Sequence, residues 1–276
     1  MPAGRLDWGG AETQSMRWPT LFISHGSPML VIDPSPARDF LSRYGRELGR
    51  PRAIVIASAH FNAARPAVVA DAHPGMIYDF GGFNEALFRM VYPAPGAPDL
   101  AAEVAALLQA AGLAPAVVAE RGYDHGVWVP LMLLYPQADV PVVQLSVQPA
   151  LGAAHHLALG RALARLADDG VLVIGSGSLT HNLHEFFRGG HAPDAPAPPW
   201  VADFEAWIHD KATAGAADDL VHYRERAPHA RENHPSEEHL LPLHIALGAG
   251  GEGAKGTRVH ASHRNGVLSM DTYAFN

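Results

Sequence analysis

Five short apolar runs, several of them rich in β-branched residues, alternate with stretches of helical character, and this alternation decides the architecture. Residues 21–23, 53–57, 116–119, 140–147 and 171–174 read as strands. Continuous apolar runs of this length suit strands buried on both faces. Between them, residues 36–47, 98–111, 127–135 and 153–167 read as helices. Pro98 opens the second and Gly112 stops it, and Asp168-Asp-Gly170 closes the last. The pattern predicts an α/β fold: a single domain with a central, mainly parallel or mixed sheet and helices on both faces. A chain of 276 residues is long enough for one large domain with a substantial core. Residues 1–17 read as an N-terminal arm and 18–276 as the α/β domain. Residues 62–97 read as irregular and 189–199 as a loop. Helices are expected at 200–213 and at 237–247, the latter bent at Pro242. Edge strands are expected at 257–259 and 268–274.

Composition narrows the chemistry. The formal charge of −8 repels a phosphate backbone, so no nucleic-acid partner is expected. The absence of cysteine excludes disulfides, thiolate metal sites and a cysteine nucleophile, leaving His, Asp and Glu as the candidate metal ligands. The first residues carry Arg5, Asp7 and Glu12 and no apolar signal core. No apolar run approaches the roughly 20 residues that span a bilayer, so a cytoplasmic protein without a membrane partner is expected.

Of the 17 histidines, four sit where strands should end or in glycine-bearing turns: His25 in Ser24-His-Gly-Ser-Pro28, His60 in Ser58-Ala-His-Phe61, His125 in Asp124-His-Gly126, and His181 in Leu179-Thr-His-Asn182. In an open α/β sheet the carboxyl ends of the strands face one crevice, where ligands bind. Imidazole suits Zn, Fe, Cu and Ni, and a strand end delivers it rigidly. His25 and His60 are therefore candidate metal ligands. A third ligand is sought in Asn233-His-Pro-Ser-Glu-Glu-His239, which reads as a helix start capped by Ser236. Glu238 or His239, in the expected first turn, could reach an ion. Glu237 and Glu238 are also explained by the helix dipole, but a cationic His239 there is not. His181 and His125 are candidate general acid–base groups, although either could be a histidine merely bonded to backbone. The remaining histidines, among them His155, His156, His191, His209, His222, His229, His260 and His263, carry no supporting pattern and read as structural or exposed.

These segments belong to a longer series in order along the chain: Ser24-His-Gly-Ser-Pro-Met29, Ser58-Ala-His-Phe61, Asp79-Phe-Gly-Gly-Phe83, Tyr92-Pro-Ala-Pro-Gly96, Asp124-His-Gly126, Gln144-Leu-Ser146, Ser176-Gly-Ser-Leu-Thr-His-Asn-Leu183 and Glu238-His-Leu-Leu-Pro-Leu243. In them the chain resembles the class III extradiol ring-cleaving dioxygenases of the DOPA 4,5-dioxygenase type. The resemblance implies one divalent metal ion per subunit, Fe(II) for activity with Zn(II) possible as isolated. It implies His25 and His60 as ligands, with His239 favoured over its rival Glu238 as the last. It implies His181 as the acid–base histidine, able also to approach the metal, and His125 as a substrate-contacting one. A catechol-type substrate and O₂ are the implied reactants. Two other readings of the same ligand set are a zinc-dependent hydrolase, which activates water instead of O₂, and a non-catalytic metal-binding protein. Phe61, Tyr78, Phe80 and Phe83 serve equally well as ring-stacking residues or as core, and Arg264 is a candidate for a substrate carboxylate. The identity of the catechol and the oligomeric state are not legible.

Overall fold

The computed structural model describes residues 17–189 and 191–276. Strands β1 (Thr20–Ser24), β2 (Ala53–Asn62), β3 (Ala67–Val69), β4 (Ala116–Val118), β5 (Val142–Val147), β6 (Val171–Gly177), β7 (Gly256–His260) and β10 (Thr272–Phe275) form one mixed sheet in the order β4-β3-β5-β2-β6-β1-β10-β7. A short hairpin of β8 (His263–Arg264) and β9 (Leu268–Ser269) stands apart. The centre, β5-β2-β6-β1, is parallel throughout. The α/β class is therefore as expected. The helices are α1 (Pro36–Leu48), α2 (Pro98–Ala110), α3 (His125–Leu134), α4 (Gly152–Leu163), α5 (Leu183–Arg188), α6 (Pro199–Ala214), α7 (Ala217–Val221), α8 (Tyr223–Arg226), α9 (Ala230–Asn233) and α10 (Leu241–Ala249).

Strand residues alternate between two apolar layers, as the two-residue side-chain period requires. Leu21, Ile23, Ile54, Ile56, Leu172 and Ile174 pack with α1 and α3. Phe22, Val55, Ala57, Val171 and Val173 pack on the other face with α2, α4, α6 and α10. The same alternation continues past the apolar stretch of β6. Ser176 follows Ile174 toward α3, while Gly175 and Gly177 face α10. A Cβ on Gly175 would strike the carbonyl oxygen of Pro242, and one on Gly177 that of His239. Glycine is needed there because the backbone leading into α10 lies directly against the strand.

Several boundaries differ from expectation. β2 runs on to Asn62, so His60 lies within the strand and not after it. Residues 62–97 contain β3 and a 3-10 turn at Glu85–Arg89. The helix expected from 237 begins at Leu241, with Pro242 in its first turn, where a missing N–H costs nothing; Pro242 starts the helix and does not bend it. Ser236 caps nothing, and its hydroxyl instead donates to Glu238 at 3.0 Å. In the tail only β7 is an edge strand, since β10 pairs antiparallel with both β1 and β7. The arm expected over 1–17 lies outside the described residues except for Arg17, which donates to Asp168 at 2.7 Å. Among the described residues no helix is long and apolar enough to cross a membrane.

Candidate metal centre

The parallel strands β1, β2 and β6 bring their carboxyl ends to one edge of the sheet, and the candidate histidines meet there. His25 follows β1, His60 stands near the end of β2, and His239 sits in the turn before α10. The turn is held against β6 by the Ser178 N–H, which donates to the His239 carbonyl at 2.9 Å. The Nε2 atoms of His25 and His60 are 3.1 Å apart, and those of His60 and His239 3.3 Å apart. Two nitrogens bound at about 2.1 Å to one ion stand about 3.0 Å apart at a right angle and about 3.4 Å at the tetrahedral angle. The observed separations fall in that interval.

Behind the rings, two of the other nitrogens have hydrogen-bond partners and the third faces a carboxylate. His25 Nδ1 lies 3.0 Å from the Ser176 hydroxyl, which in turn donates to the Gly126 carbonyl at 2.5 Å. That carbonyl is free because Pro130, four residues on in α3, has no N–H to offer it. His60 Nδ1 faces Asp79 Oδ2 at 3.4 Å. His239 Nδ1 faces Glu238 Oε1 at 3.1 Å. A neutral imidazole carries one N–H. With it on Nδ1 in all three rings, the bare Nε2 atoms of His25 and His239 crowd that of His60, an arrangement that a cation there would resolve.

Burial keeps the rings neutral, as ligation requires. It drives the His25 and His239 pKa well below the ordinary value, helped by the neighbouring histidines. Burial also lowers His60 to about 3, against the raising effect of Asp79. His181 is held at about 4, chiefly by burial. Its ring lies face to face on that of His239, with centroids 3.5 Å apart and planes 10° apart. His125 opens α3, its ring 3.8 Å from that of His60. Potential ligand atoms of His25, His60 and His125 lie within 4.8 Å of one another, as do those of His181, Glu238 and His239, so either trio could hold a metal ion. All six candidate residues are thus brought to one locus.

Comparison with known proteins identifies the family. Residues 19–275 match the family described as the catalytic LigB subunit of aromatic ring-opening dioxygenase. The chain belongs to this family. It is 43% identical over 261 residues to a 4,5-DOPA dioxygenase extradiol of Beta vulgaris, covering 93% of this chain and 96% of the relative. It is 39% identical to the Escherichia coli K12 protein of the same name, covering 85% and 86%. A crystal structure of an uncharacterized E. coli K12 protein matches with a TM-score of 0.76 and 34% identity, covering 94% of this chain and 99% of that one. Membership makes the protein an aromatic ring-opening dioxygenase of a metal-dependent family and sets aside the hydrolase and the non-catalytic reading.

Around the histidines of this dioxygenase lie polar residues that carried no individual expectation. Asp79 Oδ1 accepts from His125 Nδ1 at 2.8 Å and from the His125 backbone N–H at 3.1 Å. Burial pushes the Asp79 carboxyl up, but the hydrogen bonds and charge of His125, with His60, outweigh it and hold it below the usual carboxylate range. Asp124, fully buried, accepts from Ser58 and Gln144 at 2.6 Å each and from Arg121 at 3.1 Å. The Ser58 oxygen also accepts the His60 N–H at 3.2 Å, which ties β2 to the loop before α3. The Arg121 guanidinium lies 4.0 Å over the Phe61 ring, so Phe61 packs beneath the network. Phe80 stands edge-on to His125 at 5.9 Å, and Tyr78, Phe83, Phe88 and Trp128 continue this aromatic wall. Arg264 is paired with Asp33 at 2.7 Å, and both line a small pocket that Gly26 and Met270 also border.

Proposed function

We propose that the protein opens the ring of a catechol carrying a DOPA-like side chain, using O₂ and a single divalent ion held by the Nε2 atoms of His25, His60 and His239, with Fe(II) the ion of turnover. The observation that carries this reading is that the Nε2 atoms of His25 and His239 lie 3.1 and 3.3 Å from that of His60, while each Nδ1 has a polar oxygen behind it. Glu238 then acts from outside: its Oε1 takes the His239 Nδ1–H and orients the ring, as carboxylates behind ligating histidines commonly do. An ion so bound would supply the Lewis-acid and redox chemistry that ring opening with O₂ requires.

The protein residues supply position and protons. His181 fits beside the ion better than on it. Its ring is parallel to that of His239 at 3.5 Å, so the in-plane lone pairs of the two run side by side and do not converge. A ring nitrogen of His181 is proposed to take the second hydroxyl proton of the catechol and to return a proton during ring opening. Burial, which lowers its pKa to about 4, keeps that ring unprotonated before substrate binds. His125, its Nδ1 held by Asp79, turns Nε2 to the substrate and binds oxygen that gains negative charge. The ring edge of Phe80 closes the His125 side of the site against water. The carbon–carbon bond beside the two hydroxyls breaks, and both atoms of O₂ end in the semialdehyde product. A cytoplasmic setting completes the proposal, in keeping with the cysteine-free chain.

The test is anaerobic loading with Fe(II), addition of a catechol panel that includes DOPA, and admission of air. The expected result is a yellow semialdehyde with one O₂ consumed per ring opened, and none from the Zn(II)-loaded protein. Product formed without oxygen, or no oxygen uptake with any catechol, would refute the reading.

A further inference from the structure

We propose that Asp79 is a positioning residue that sets two imidazoles with one carboxylate, joining the ion-binding group to the proton-handling group. The inference rests on the reading of His60 as a ligand. Oδ1 accepts from the His125 ring at 2.8 Å and from its backbone N–H at 3.1 Å, and Oδ2 faces His60 Nδ1 at 3.4 Å. Only a carboxylate can do this. It accepts at both oxygens, whereas the amide of asparagine accepts at one and presents a donor at the other.

The coupling has a direction. An ion on His60 Nε2 obliges the ring proton to stay on Nδ1, facing Asp79 Oδ2. A carboxylate fixed at Oδ2 fixes Oδ1 as well, and with it the tautomer and tilt of His125. The loop that carries Asp79 is itself anchored, since Tyr78 and Phe80 pack edge-on or tilted against Trp128 with ring centroids 6.5 and 6.0 Å away. Asp79 lies 46 residues from His125, and its role arises only from the fold.

The experiment compares the wild-type protein with Asp79→Asn, using Zn(II) as the probe and no catechol, so that it stands or fails independently of ring cleavage. Three quantities are read: Zn(II) affinity by chelator competition, the tautomer of His125 by ¹⁵N NMR of the Zn(II)-loaded protein, and the melting temperature. In the wild type the His125 ring is expected to carry its proton on Nδ1. In Asp79→Asn it is expected to move to Nε2, and the Zn(II) dissociation constant to rise about 10–100-fold, with the melting temperature unchanged. An Nε2–H on His125 in the wild type overturns the proposal whether or not the variant folds. So do an unchanged His125 tautomer and unchanged affinity in Asp79→Asn.

Discussion

Ser176→Ala tests the chain of contacts that sets the first ligand. The hydroxyl of Ser176 receives the His25 Nδ1–H at 3.0 Å and passes its own proton to the Gly126 carbonyl at 2.5 Å. Removing it strands two groups. The Gly126 carbonyl cannot recover a helical partner, because residue 130 is proline. The His25 nitrogen is buried at 2% exposure, beyond easy reach of solvent. A buried group left without a partner costs about 1–3 kcal/mol, so the metal-free protein should lose about that much in urea unfolding, with part recovered as the His25 ring shifts. The diagnostic effect is on the ion. Without an acceptor at Nδ1, the His25 proton is free to move to Nε2, the atom that should ligate. Loss of such an orienting contact typically weakens binding about 10–100-fold, or about 1.4–2.7 kcal/mol. Chelator competition with Zn(II), run beside urea melts of the metal-free protein, separates the two effects. An affinity equal to the wild type's in a folded Ser176→Ala protein would show that the tautomer of His25 is not set by this hydroxyl, and the argument for its Nε2 as a ligand atom would fail.

Other outcomes follow from the same geometry. His181→Ala should keep its metal by elemental analysis and lose about 10²–10⁴-fold in turnover; loss of the metal would make His181 a ligand. Gly177→Ala forces a methyl against the His239 carbonyl and should cost about 1–3 kcal/mol of stability together with Zn(II) affinity; a neutral effect on both would mean that the α10 turn gives way freely. The buried His156, lowered to about 3 by burial, takes a proton far more readily unfolded than folded, so its contribution to stability is full above pH 6.5 and fades as pH falls toward 3. At pH 5 the loss is about 2 kcal/mol, and urea midpoints for the metal-free protein should fall less steeply between pH 7 and 5 in His156→Gln than in the wild type. Asp271, raised to about 6 by burial, acts in the opposite sense over the same range and is common to both proteins, so the comparison isolates the histidine.

The framework was legible because its signals are local. An apolar run bounded by helix-capping residues declares a strand wherever it is, and the stretches around 23, 56 and 174 became adjacent strands of one sheet. His25 follows β1, His60 lies near the end of β2 and His181 follows β6, so the three lie at one edge of the sheet. What the sequence could not declare were contacts made across the fold. Asp79 stood in a quoted motif, Asp79-Phe-Gly-Gly-Phe83, yet nothing nearby said that its two oxygens would meet rings at 60 and 125. Ser176 opens the segment Ser176-Gly-Ser-Leu-Thr-His-Asn-Leu183, with nothing nearby to mark its partners. It lies within β6, and its side chain faces α3 because strand periodicity continues through Gly175 and Gly177. One rule could have found both residues: three neutral imidazoles aimed at one ion need three acceptors behind them. The helix start at 237 failed for a different reason. Ser and Glu residues imitate a cap, but the chain from 234 to 240 is spent reaching the sheet, and Pro242 marks where the helix can begin.

The two kinds of group in this site are mounted differently. His25, His60 and His239 are fixed to the central strands by backbone bonds and close glycine contacts, which suits ligands whose positions must hold to fractions of an ångström. His125 opens α3, and His181 lies in the loop between β6 and α5. One is steadied by Asp79 from a segment that forms no strand, and the other lies against the face of a ligand ring. Proton transfer tolerates small motions that coordination does not, since an acid–base group needs only to come within hydrogen-bond reach as the substrate settles. If the partition is functional, substitutions behind the strand-borne rings should act first on metal affinity and those behind the other two rings first on turnover. Asp79, which touches one ring of each kind, is then the position where both should change together.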